Sequence, residues 1–505
     1  MQAPGTYVSV QSAAQAPTNN ATTGTWFVTG EAEMGPVGVP IPITSMNDYA
    51  NFLGGRSGYS TFFDSLDTYF REGGRLAYAS RVVGPAAASA TVTLKDTFAT
   101  PANTLTLTAN GPGVWGNSLT VTVAAGTVTN TYTLTIVNPT NGQTWVSPNL
   151  TSPADAVTWA QSELAAFPYS FPCSIANDAS TTTPPANNPA TGTFDFAAGA
   201  DDLTDITETE WTTALTAFDP SLGAGQVSAP GHTTSAGYLA LIAHAGAADS
   251  NGFFINNRFA LLDDADSSSA STVASQVATA QSGTDPSFGM LLAPWVIVPG
   301  LSNAGVATVS PSTRTVPPSA FVAGRMAAVD ASLNPGQPAA ASFAPAQFAI
   351  GVTQTYSSND RGMLDGAQVS VIRSINGVVQ LYGYKTLALT SQFLPANYAR
   401  MRMYIVGASQ TIGASYDFAQ IDGKGRAASK FQGDLSGMLQ SLWSEGALYG
   451  ASPADSFTVT VNLSPTLLAA GVLSAVEAVR LSPFANLVEI GVVAYPITQT
   501  LPASS

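Results

Sequence analysis

Charge is the scarcest property of this sequence. Only 10% of its 505 residues are Asp, Glu, Lys or Arg, whereas an ordinary soluble domain has roughly 25%. The 17 basic residues are outnumbered by 32 acidic ones, which gives a formal net charge of −15. Without a basic surface the chain has nothing to displace the counterions of a nucleic acid. The composition therefore argues against nucleic acid as a partner, and the neutral polar surface favours broad protein–protein contact.

Residues that bind metals or act as nucleophiles are also scarce. Cys173 is the single cysteine, which excludes an intrachain disulfide and zinc sites of the Cys-x-x-Cys type. A cysteine nucleophile would need a nearby histidine, and His232 and His244 are the only two. We expect Cys173 to be a small buried apolar group, and we expect no enzyme activity, no catalytic residue, no cofactor and no metal.

Long apolar runs and targeting signals are missing too. The sequence has no stretch of about 18 apolar residues, the length that a membrane-spanning helix needs. The opening MQAPGTYVSV has neither the basic start nor the apolar run of a signal peptide. We therefore expect no membrane span and synthesis in the cytosol.

Apolar residues, in contrast, make up 45% of the chain, and its length of 505 residues allows two to four packed domains. The run Thr25–Gly30 is apolar and stopped by glycine, which predicts a buried strand. Ser45 is a good N-cap for a short helix, and aromatic residues at helical spacing predict another helix over residues 58–71. Leu76–Val83 is typical of a strand.

The residue pattern of the sequence changes at about residue 86. From there to about residue 150, Thr/Val alternations (ATVTL, TLTLTA, SLTVTV and TYTLTIV) are separated by Gly, Asn and Pro. Alternation with frequent turns predicts an antiparallel β domain. A helix is predicted at 153–167, and the Thr/Pro/Asn-rich residues 180–192 are typical of a linker. A β module bracketed in this way indicates an insertion into a surrounding domain.

Beyond Glu208 the predicted elements alternate between helix and strand, which favours a sheet covered by helices. We predict helices at 210–218, 236–247, 270–281 and 317–330, and strands at 226–229, 259–263 and 291–299, followed by a further αβ region over residues 346–484.

Three features resemble chemical sites, and each has a plainer interpretation. The Gly423–Ala428 segment (GKGRAA) superficially resembles a phosphate loop, but a charged turn before a helix explains it better. Acidic clusters at Asp201-Asp202-Asp205 and Asp263-Asp264-Asp266 lack the spacing of a calcium loop, and we predict solvated loop carboxylates. His232 follows a strand end, where α/β enzymes often place chemistry, but it has no partnered nucleophile in the sequence.

Nine phrases occur in order over nearly the whole length of the sequence. They are Pro4–Val8, residues 24–55, 69–78 and 113–119, Ala293–Val296, residues 317–324, Val371–Arg373, residues 382–388 and residues 442–450. Together they resemble phrases of contractile-tail sheath proteins, a family of phage tails and phage-derived injection systems. Tyr382 and Lys385 stand where the family more often has Trp and Arg, so the resemblance is to a divergent branch.

The resemblance implies a mixed α+β and α/β multidomain fold with extended terminal arms. It divides the chain into an N-terminal arm (1–20), a middle α/β domain (21–90 and 193–345), an inserted antiparallel β domain on the outer surface (91–192), a C-terminal inner domain (346–484) and a C-terminal arm (485–505).

The resemblance also implies partners and a location. Copies of the chain are expected to form a helical homo-oligomer of stacked, hexameric rings around a tail tube, with baseplate and tail terminator proteins at its ends. Such a sheath belongs to the virion, is assembled in the host cytoplasm, and contracts to drive the tube through the host envelope.

The two arms are the expected contacts between subunits, because a donated strand satisfies its backbone hydrogen bonds at another chain's sheet edge. One face of the first arm carries Val8 and Val10 beside Tyr7. One face of the last arm carries Val488, Ile490 and Val492. The alternative is that both strands close the sheet of their own domain.

A basic segment before a predicted helix is the second candidate contact. Lys424, Arg426 and Lys430 are three of the 17 basic residues, and in the family a helix of this region faces the tube. These cations are therefore candidates for contact with acidic tube residues, and a solvated helix start is the alternative. Two other functions stay open, a β-rich capsid or fibre component and an α/β enzyme.

Overall fold

The computed structural model describes residues 23–178, 183–250, 254–266, 268–300 and 312–486. The predicted arm strands at residues 6–10 and 487–494 lie outside these residues. Numbered in chain order, the described strands are β1 (Trp26–Gly30), β2 (Ile41–Ile43), β3 (Ala77–Arg81), β4 (Thr91–Lys95), β5 (Asn103–Ala109), β6 (Thr120–Ala125), β7 (Tyr132–Asn138), β8 (Gln143–Val146), β9 (Cys173–Asn177), β10 (Gly192–Asp195), β11 (Gly225–Ser228), β12 (Arg258–Asp263), β13 (Gly289–Ala293), β14 (Val296–Pro299), β15 (Thr313–Val316), β16 (Gly351–Val352), β17 (Val369–Ile375), β18 (Val378–Leu381), β19 (Phe457–Asn462) and β20 (Ser474–Val479). The described helices are α1 (Met46–Leu53), α2 (Phe62–Arg71), α3 (Pro153–Ala166), α4 (Glu208–Thr216), α5 (Ser235–Ala245), α6 (Ala270–Ala280), α7 (Pro318–Ser332), α8 (Ser358–Gly366), α9 (Ala396–Ala414), α10 (Arg426–Ser444), α11 (Pro453–Ser456) and α12 (Pro465–Ala469).

The largest sheet has eight strands in the order β18-β17-β13-β12-β11-β1-β3-β2. Its six central strands are parallel, and the two edge strands run antiparallel to their neighbours. Parallel strands are normally covered on both faces and are therefore apolar throughout. All five residues of β1 are buried, which confirms the buried strand predicted there.

The two faces of this sheet have separate cores. Trp26 and Val28 of β1 pack on the face that α1, α2, α7 and α9 cover. Phe27 points to the other face and packs with α4, α5, α6 and α8. Each fully buried side chain of this size stabilises the fold by about 1.5–3 kcal/mol. Because successive side chains of β1 point to opposite faces of the sheet, this strand packs against both helix layers.

Helix α1 begins where the sequence predicts. The Ser45 side chain accepts a hydrogen bond from the Asp48 amide, and the Asp48 carboxylate accepts one from the Ser45 amide. This reciprocal cap satisfies amides that the first turn leaves unpaired and stabilises a helix by about 1 kcal/mol. Hydrogen bonds from Thr44 and Ser45 outweigh the effect of burial and lower the pKa of Asp48.

The segment between β3 and α4 forms two antiparallel sheets, β4-β5-β9 and β10-β6-β7-β8; we call it the insert. Its strands confirm the Thr/Val alternations, since β7 (YTLTIVN) buries every second residue. The apolar faces share one core with α3, and this core includes Leu134 and Cys173, both 0% exposed. Cys173 is thus the buried apolar group that the sequence predicts, and burial raises the pKa of its thiol.

The predicted single strand at 291–299 is wrong. The chain leaves the main sheet after β13 and enters a second sheet, β15-β14-β16, as β14. Pro294 stands at the break and has no N–H to donate to a strand ladder. The apolar run is therefore two strands of two sheets.

The C-terminal part of the described chain contains α9, α10 and a two-stranded antiparallel sheet, β19–β20; we call this sheet the hairpin. It packs on α10 around Phe431, Leu435 and Val459. Strands β17 and β18 belong to the main sheet, although they lie beyond residue 345, the expected end of the middle domain. In the part of the chain that the structure describes, no helix is long and apolar enough to cross a membrane.

Candidate assembly surfaces

His232 lies just beyond β11 and has three polar or aromatic partners. Its ring stacks on Trp211 with 4.4 Å between centroids, and its Nε2 lies 3.0 Å from Glu208 Oε2. Thr234 donates to the same carboxylate. Because Glu208 and Trp211 both belong to α4, these contacts fasten the loop after β11 to that helix.

Two of the predicted solvated carboxylates, Asp263 and Asp264, are buried at the end of β12. They are only 2% and 0% exposed, so the prediction is wrong for them. Asp263 accepts hydrogen bonds from the Ser319 amide (2.6 Å), the Ser319 hydroxyl (2.8 Å) and the Gly231 amide (3.1 Å). A carboxylate at the N-terminus of α7 is stabilised by the amides there, which explains its burial.

Asp264 is buried differently, because neither of its carboxylate oxygens has a hydrogen-bond partner. Burial, together with the charges of Asp263 and Asp266, raises the pKa of Asp264 to about 8. This shift favours the neutral, protonated form of the side chain. Among the described residues no group of three acidic, histidine or cysteine side chains is arranged to hold a metal ion.

The other acidic cluster joins the insert to the main sheet. Asp201 is 8% exposed and pairs with Arg81, whose guanidinium lies 3.1 Å away, so Asp201 is not the solvated carboxylate predicted. Arg81 also donates to the carbonyls of Ala32, Gly35 and Pro112. The buried Arg81 side chain therefore connects the segment that enters the insert, after β3, with the segment that leaves it, before α4.

The first described residues are anchored to the last ones by a chain of contacts. Thr23 donates to Asp330 Oδ2 at 2.6 Å, and the same oxygen accepts from the buried Arg400. Arg400 also donates to the Tyr384 hydroxyl at 3.0 Å. The ring of Tyr384 packs edge-on against Phe484, with 6.3 Å between centroids. Thr23 and Phe484, near the two ends of the described chain, are thus joined through four consecutive contacts.

Two cavities lie beside the first and the last described residues. The N-root groove, about 440 Å³, is lined by Thr23, Gly24 and Thr25. The C-root cavity, about 830 Å³, is lined by Ser482 to Asn486. Asn334 and Glu445 line both, so the described chain begins and ends on the same side of the body. His232 lines neither.

The hairpin, as far as the chain is described, has unpaired strand edges and exposed apolar side chains. Within the described residues β19 and β20 pair only with each other. Val476 on β20 is 66% exposed, and Leu463 in the connection between the strands is 58% exposed. An isolated two-stranded sheet is marginal in water, and its unpaired backbone groups are a template for further strands.

The predicted basic contact residues lie at the start of α10, after the charged turn that the sequence predicts. Arg426 pairs with Asp422 at 2.6 Å, and Lys430 pairs with Asp434 at 3.1 Å. Both pairs have i,i+4 spacing, which stabilises a helix locally. Lys424 has no carboxylate partner among the described residues, so it is the least neutralised of the three cations.

The structure therefore brings Arg426 and Lys430 together with local carboxylates. It does not test the arm residues Tyr7, Val8, Val10, Val488, Ile490 and Val492, because they lie outside the described residues. Sequence reasoning missed the hairpin, although β19 (FTVTVN) shows the same alternation as the insert. No sequence pattern indicated that Asn334 and Glu445 lie close together, because their proximity depends on the tertiary fold.

No protein-family model matches the sequence, and no curated protein matches it. Solved structures do match. The sheath tail protein from Listeria innocua is 15% identical with a TM-score of 0.58, over 87% of this chain and 89% of that one. The sheath complex of the extracellular contractile injection system PVC in its contracted state is 14% identical with a TM-score of 0.54, over 98% of both chains.

The helical sheath of the anti-feeding prophage in its contracted state is 16% identical with a TM-score of 0.52, over 98% of this chain and 99% of that one. The two matches to injection-system sheaths span nearly the whole chain. This chain has the fold of the sheath proteins of contractile tails and contractile injection systems.

Proposed function

We propose that this chain is the structural subunit of a contractile sheath. Copies assemble as a helical homo-oligomer of stacked six-membered rings around a tail tube, and contraction drives the tube through the envelope of a host cell. The observation that carries the proposal is the match of 98% of this chain to sheaths in the contracted state. The low charge of the surface is consistent with extensive contacts between copies.

The arms supply the proposed links between subunits. Each arm would add a strand to the sheet of a neighbouring copy, through Tyr7, Val8 and Val10 at one end and Val488, Ile490 and Val492 at the other. The hairpin is the proposed acceptor, because it is a two-stranded sheet with an exposed apolar residue, Val476, on β20. Backbone hydrogen bonds give such an added strand its affinity, and alternate side chains give it its register.

The positions of the arm roots support this arrangement. The first and last described residues, from which the proposed arms would extend, both lie near Asn334 and Glu445. Arg400 is linked to Thr23 through Asp330 and to Phe484 through Tyr384. A force on either proposed arm would therefore act on the buried Arg400 through these contacts. A tether between moving rings needs such an attachment to the core. Contraction needs no cofactor if the extended lattice is metastable and the contracted interface packs better.

The remaining organisation is part of the same proposal. The insert would lie on the outer surface, where added modules are tolerated, and residues 346–484 would face the tube. A phage particle or a phage-derived injection system would contain the sheath, assembled in the host cytoplasm, with baseplate and terminator proteins at its ends. The described fold gives no support to a β-rich capsid or fibre component, because helices cover both faces of its largest sheet.

Electron microscopy of the purified full-length chain tests the proposal. We expect negatively stained tubes with helical striations. Deleting residues 1–12 or 487–505 should abolish the tubes and leave a folded monomer, with an unchanged circular dichroism spectrum as the control. Tubes of normal length from either deletion would contradict the donated strands, and trimers or closed shells from the full chain would contradict the sheath.

The tube contact has a separate test at Lys424. Lys424→Glu reverses a charge without breaking an ion pair of the described structure, so it changes the surface and spares the fold. If α10 faces an acidic tail tube, a smaller fraction of this variant should co-sediment with tail tubes, and its binding to them should depend less on salt. Co-assembly with unchanged salt sensitivity would reject the contact. Arg426→Glu is unsuitable because it also removes the partner of Asp422.

A further inference from the structure

The C-root cavity is large, partly apolar and directly next to the end of the described chain. Its volume of about 830 Å³ is near the upper end for sites that bind drug-sized molecules. Val371 and Leu381 of the main sheet form part of its lining. Two aromatic residues that line it are unusually exposed, Phe343 at 60% and Tyr382 at 53%. Together with the apolar part of the lining, these two side chains form an exposed apolar surface next to the end of the described chain.

We propose that in the unassembled subunit the segment after Asn486 folds back into the C-root cavity of its own chain. Residues 487–494 read Leu-Val-Glu-Ile-Gly-Val-Val-Ala, so all but Glu489 are apolar or glycine. Asn486 itself lines the cavity, and each further residue adds roughly 3.3 Å of extended chain. The first apolar side chains therefore reach the cavity without any rearrangement of the body.

The tether favours this occupant over the same segment of a second copy. A short flexible linker holds a segment near its site at an effective concentration on the order of millimolar. Another copy competes only at its actual concentration, which is lower in any dilute preparation. Exposed Phe343 and Tyr382 are then covered by the apolar segment nearest to them along the chain.

The cavity contains positive charges that complement the one negative charge of the segment, on Glu489. Arg361 donates to the Tyr356 carbonyl at 2.7 Å, and Arg373 lies over the Tyr382 ring at 4.7 Å. Neither guanidinium has a carboxylate partner among the described residues. Of the two carboxylates that line the cavity, Asp365 is paired with Lys385 at 2.7 Å. Glu445 is the other.

Glu489 stands three residues beyond Asn486, about 10 Å of extended chain, and so within reach of these guanidiniums. Docking would bury an apolar strand that is otherwise free to pair with other copies. Where the proposed sheath function holds, assembly then exchanges an internal contact for an external one, as in domain swapping. The docking itself does not depend on assembly.

Cysteine cross-linking of full-length monomers tests the docking. In Ile490→Cys with Phe343→Cys, mild oxidation should give an intrachain disulfide in most molecules. The matched control is Ile490→Cys with Val146→Cys, because Val146 is 62% exposed but lies in the insert, and it should give little. Cys173 does not interfere, because it is 0% exposed. Equal yields from the two pairs, or no disulfide in either, would overturn the proposal.

Mixing ¹⁴N- and ¹⁵N-labelled monomers identifies the source of the segment. Mass spectrometry should find cross-linked peptides of a single label, and predominantly mixed-label peptides would assign the cavity to a second copy and overturn the internal docking. Charge gives a second readout. Glu489→Lys should lower the yield about five-fold, and Arg373→Glu should restore it in that background. All measurements use size-selected monomers, so failure to form tubes would count against the sheath function and leave the docking untouched.

Discussion

The insert and the hairpin start from the same sequence pattern and reach opposite states. Strand β7 of the insert reads YTLTIVN and strand β19 of the hairpin reads FTVTVN. In the insert, two sheets and α3 enclose one core, in which Leu134 and Ile136 are 0% exposed. In the hairpin, the two strands pair only with each other among the described residues, and Val476 is 66% exposed. Alternating threonine and valine therefore specify a strand, and the available neighbours decide whether its sheet is complete.

The difference is consistent with the two roles proposed above. A complete module needs nothing from another chain, which suits a domain on the outside of an assembly. An incomplete two-stranded sheet is marginal alone and gains most from added strands. The following changes test this contrast, from the largest expected effect to the smallest.

Removing the side chain that fastens the insert should have the largest effect on stability. Arg81→Ala leaves Asp201 buried and unpaired, and loss of one partner of a buried ion pair costs about 3–5 kcal/mol. We expect a lower free energy of unfolding in urea and new protease cleavage near residues 84–88. Arg426→Ala, which removes an exposed pair, is the control and should change little. Equal effects of the two would show that the insert does not depend on Arg81.

A cavity in the insert core tests whether that module is complete. Leu134→Ala removes a side chain with 0% exposure, and such substitutions cost about 2–5 kcal/mol. The free energy of unfolding should fall by this amount, while hydrogen exchange in β19 and β20 stays unchanged. Faster exchange in the hairpin would mean that the two regions are coupled.

The matching change in the hairpin should spare stability and reduce assembly. Val476→Ser alters a side chain that is 66% exposed, so we expect the free energy of unfolding to change by no more than about 0.5 kcal/mol. Tubes should form more slowly or only at higher subunit concentration, as light scattering and electron microscopy would measure. If tubes form normally, the exposed face of β20 is not an acceptor for donated strands.

The smallest expected effect is an opposite response to pH. Hydrogen bonds from Thr151 and Ser152 lower the pKa of Asp155 in the insert, so its contribution is present above its ordinary pKa of 3.8 and lost as the pH falls. Burial raises the pKa of Glu477 in the hairpin above 4.5, so its contribution is present below that value and lost as the pH rises.

Hydrogen exchange, corrected for the intrinsic rate at each pH, measures both responses. Between pH 6 and pH 3, protection should fall at the start of α3 and rise in β20. Asp155→Asn and Glu477→Gln should each flatten the response of their own region only. A common direction in both regions, unaltered by either substitution, would contradict the assignment.

Local patterns predicted most of the elements. The predicted helix at residues 153–167 is α3, which ends one residue earlier, and Ser45 caps α1 as predicted. These features depend on neighbours a few residues away, which the sequence displays directly. The pairs Asp422–Arg426 and Lys430–Asp434 were not predicted, although their i,i+4 spacing is equally local.

Contacts between distant residues were not predictable in this way. Asp263 and Ser319 are 56 positions apart, and Arg81 and Asp201 are 120 apart. A carboxylate next to other carboxylates in a polar loop is ordinarily solvated, and only the arrival of α7 or Arg81 makes its burial favourable. The predicted arm strands remain predictions, as does the contact of Lys424 with a tube.

The sequence by itself determined that this chain has a β-rich insert within an α/β body and few residues suited to catalysis. Periodicity and composition act over short distances, so they can be read without coordinates. Only the tertiary structure decided that one β unit encloses a core and the other, within the described residues, leaves its strand edges unpaired, and that the first and last described residues lie near Asn334 and Glu445. The reason is physical, because burial and pairing depend on which surfaces the fold brings together.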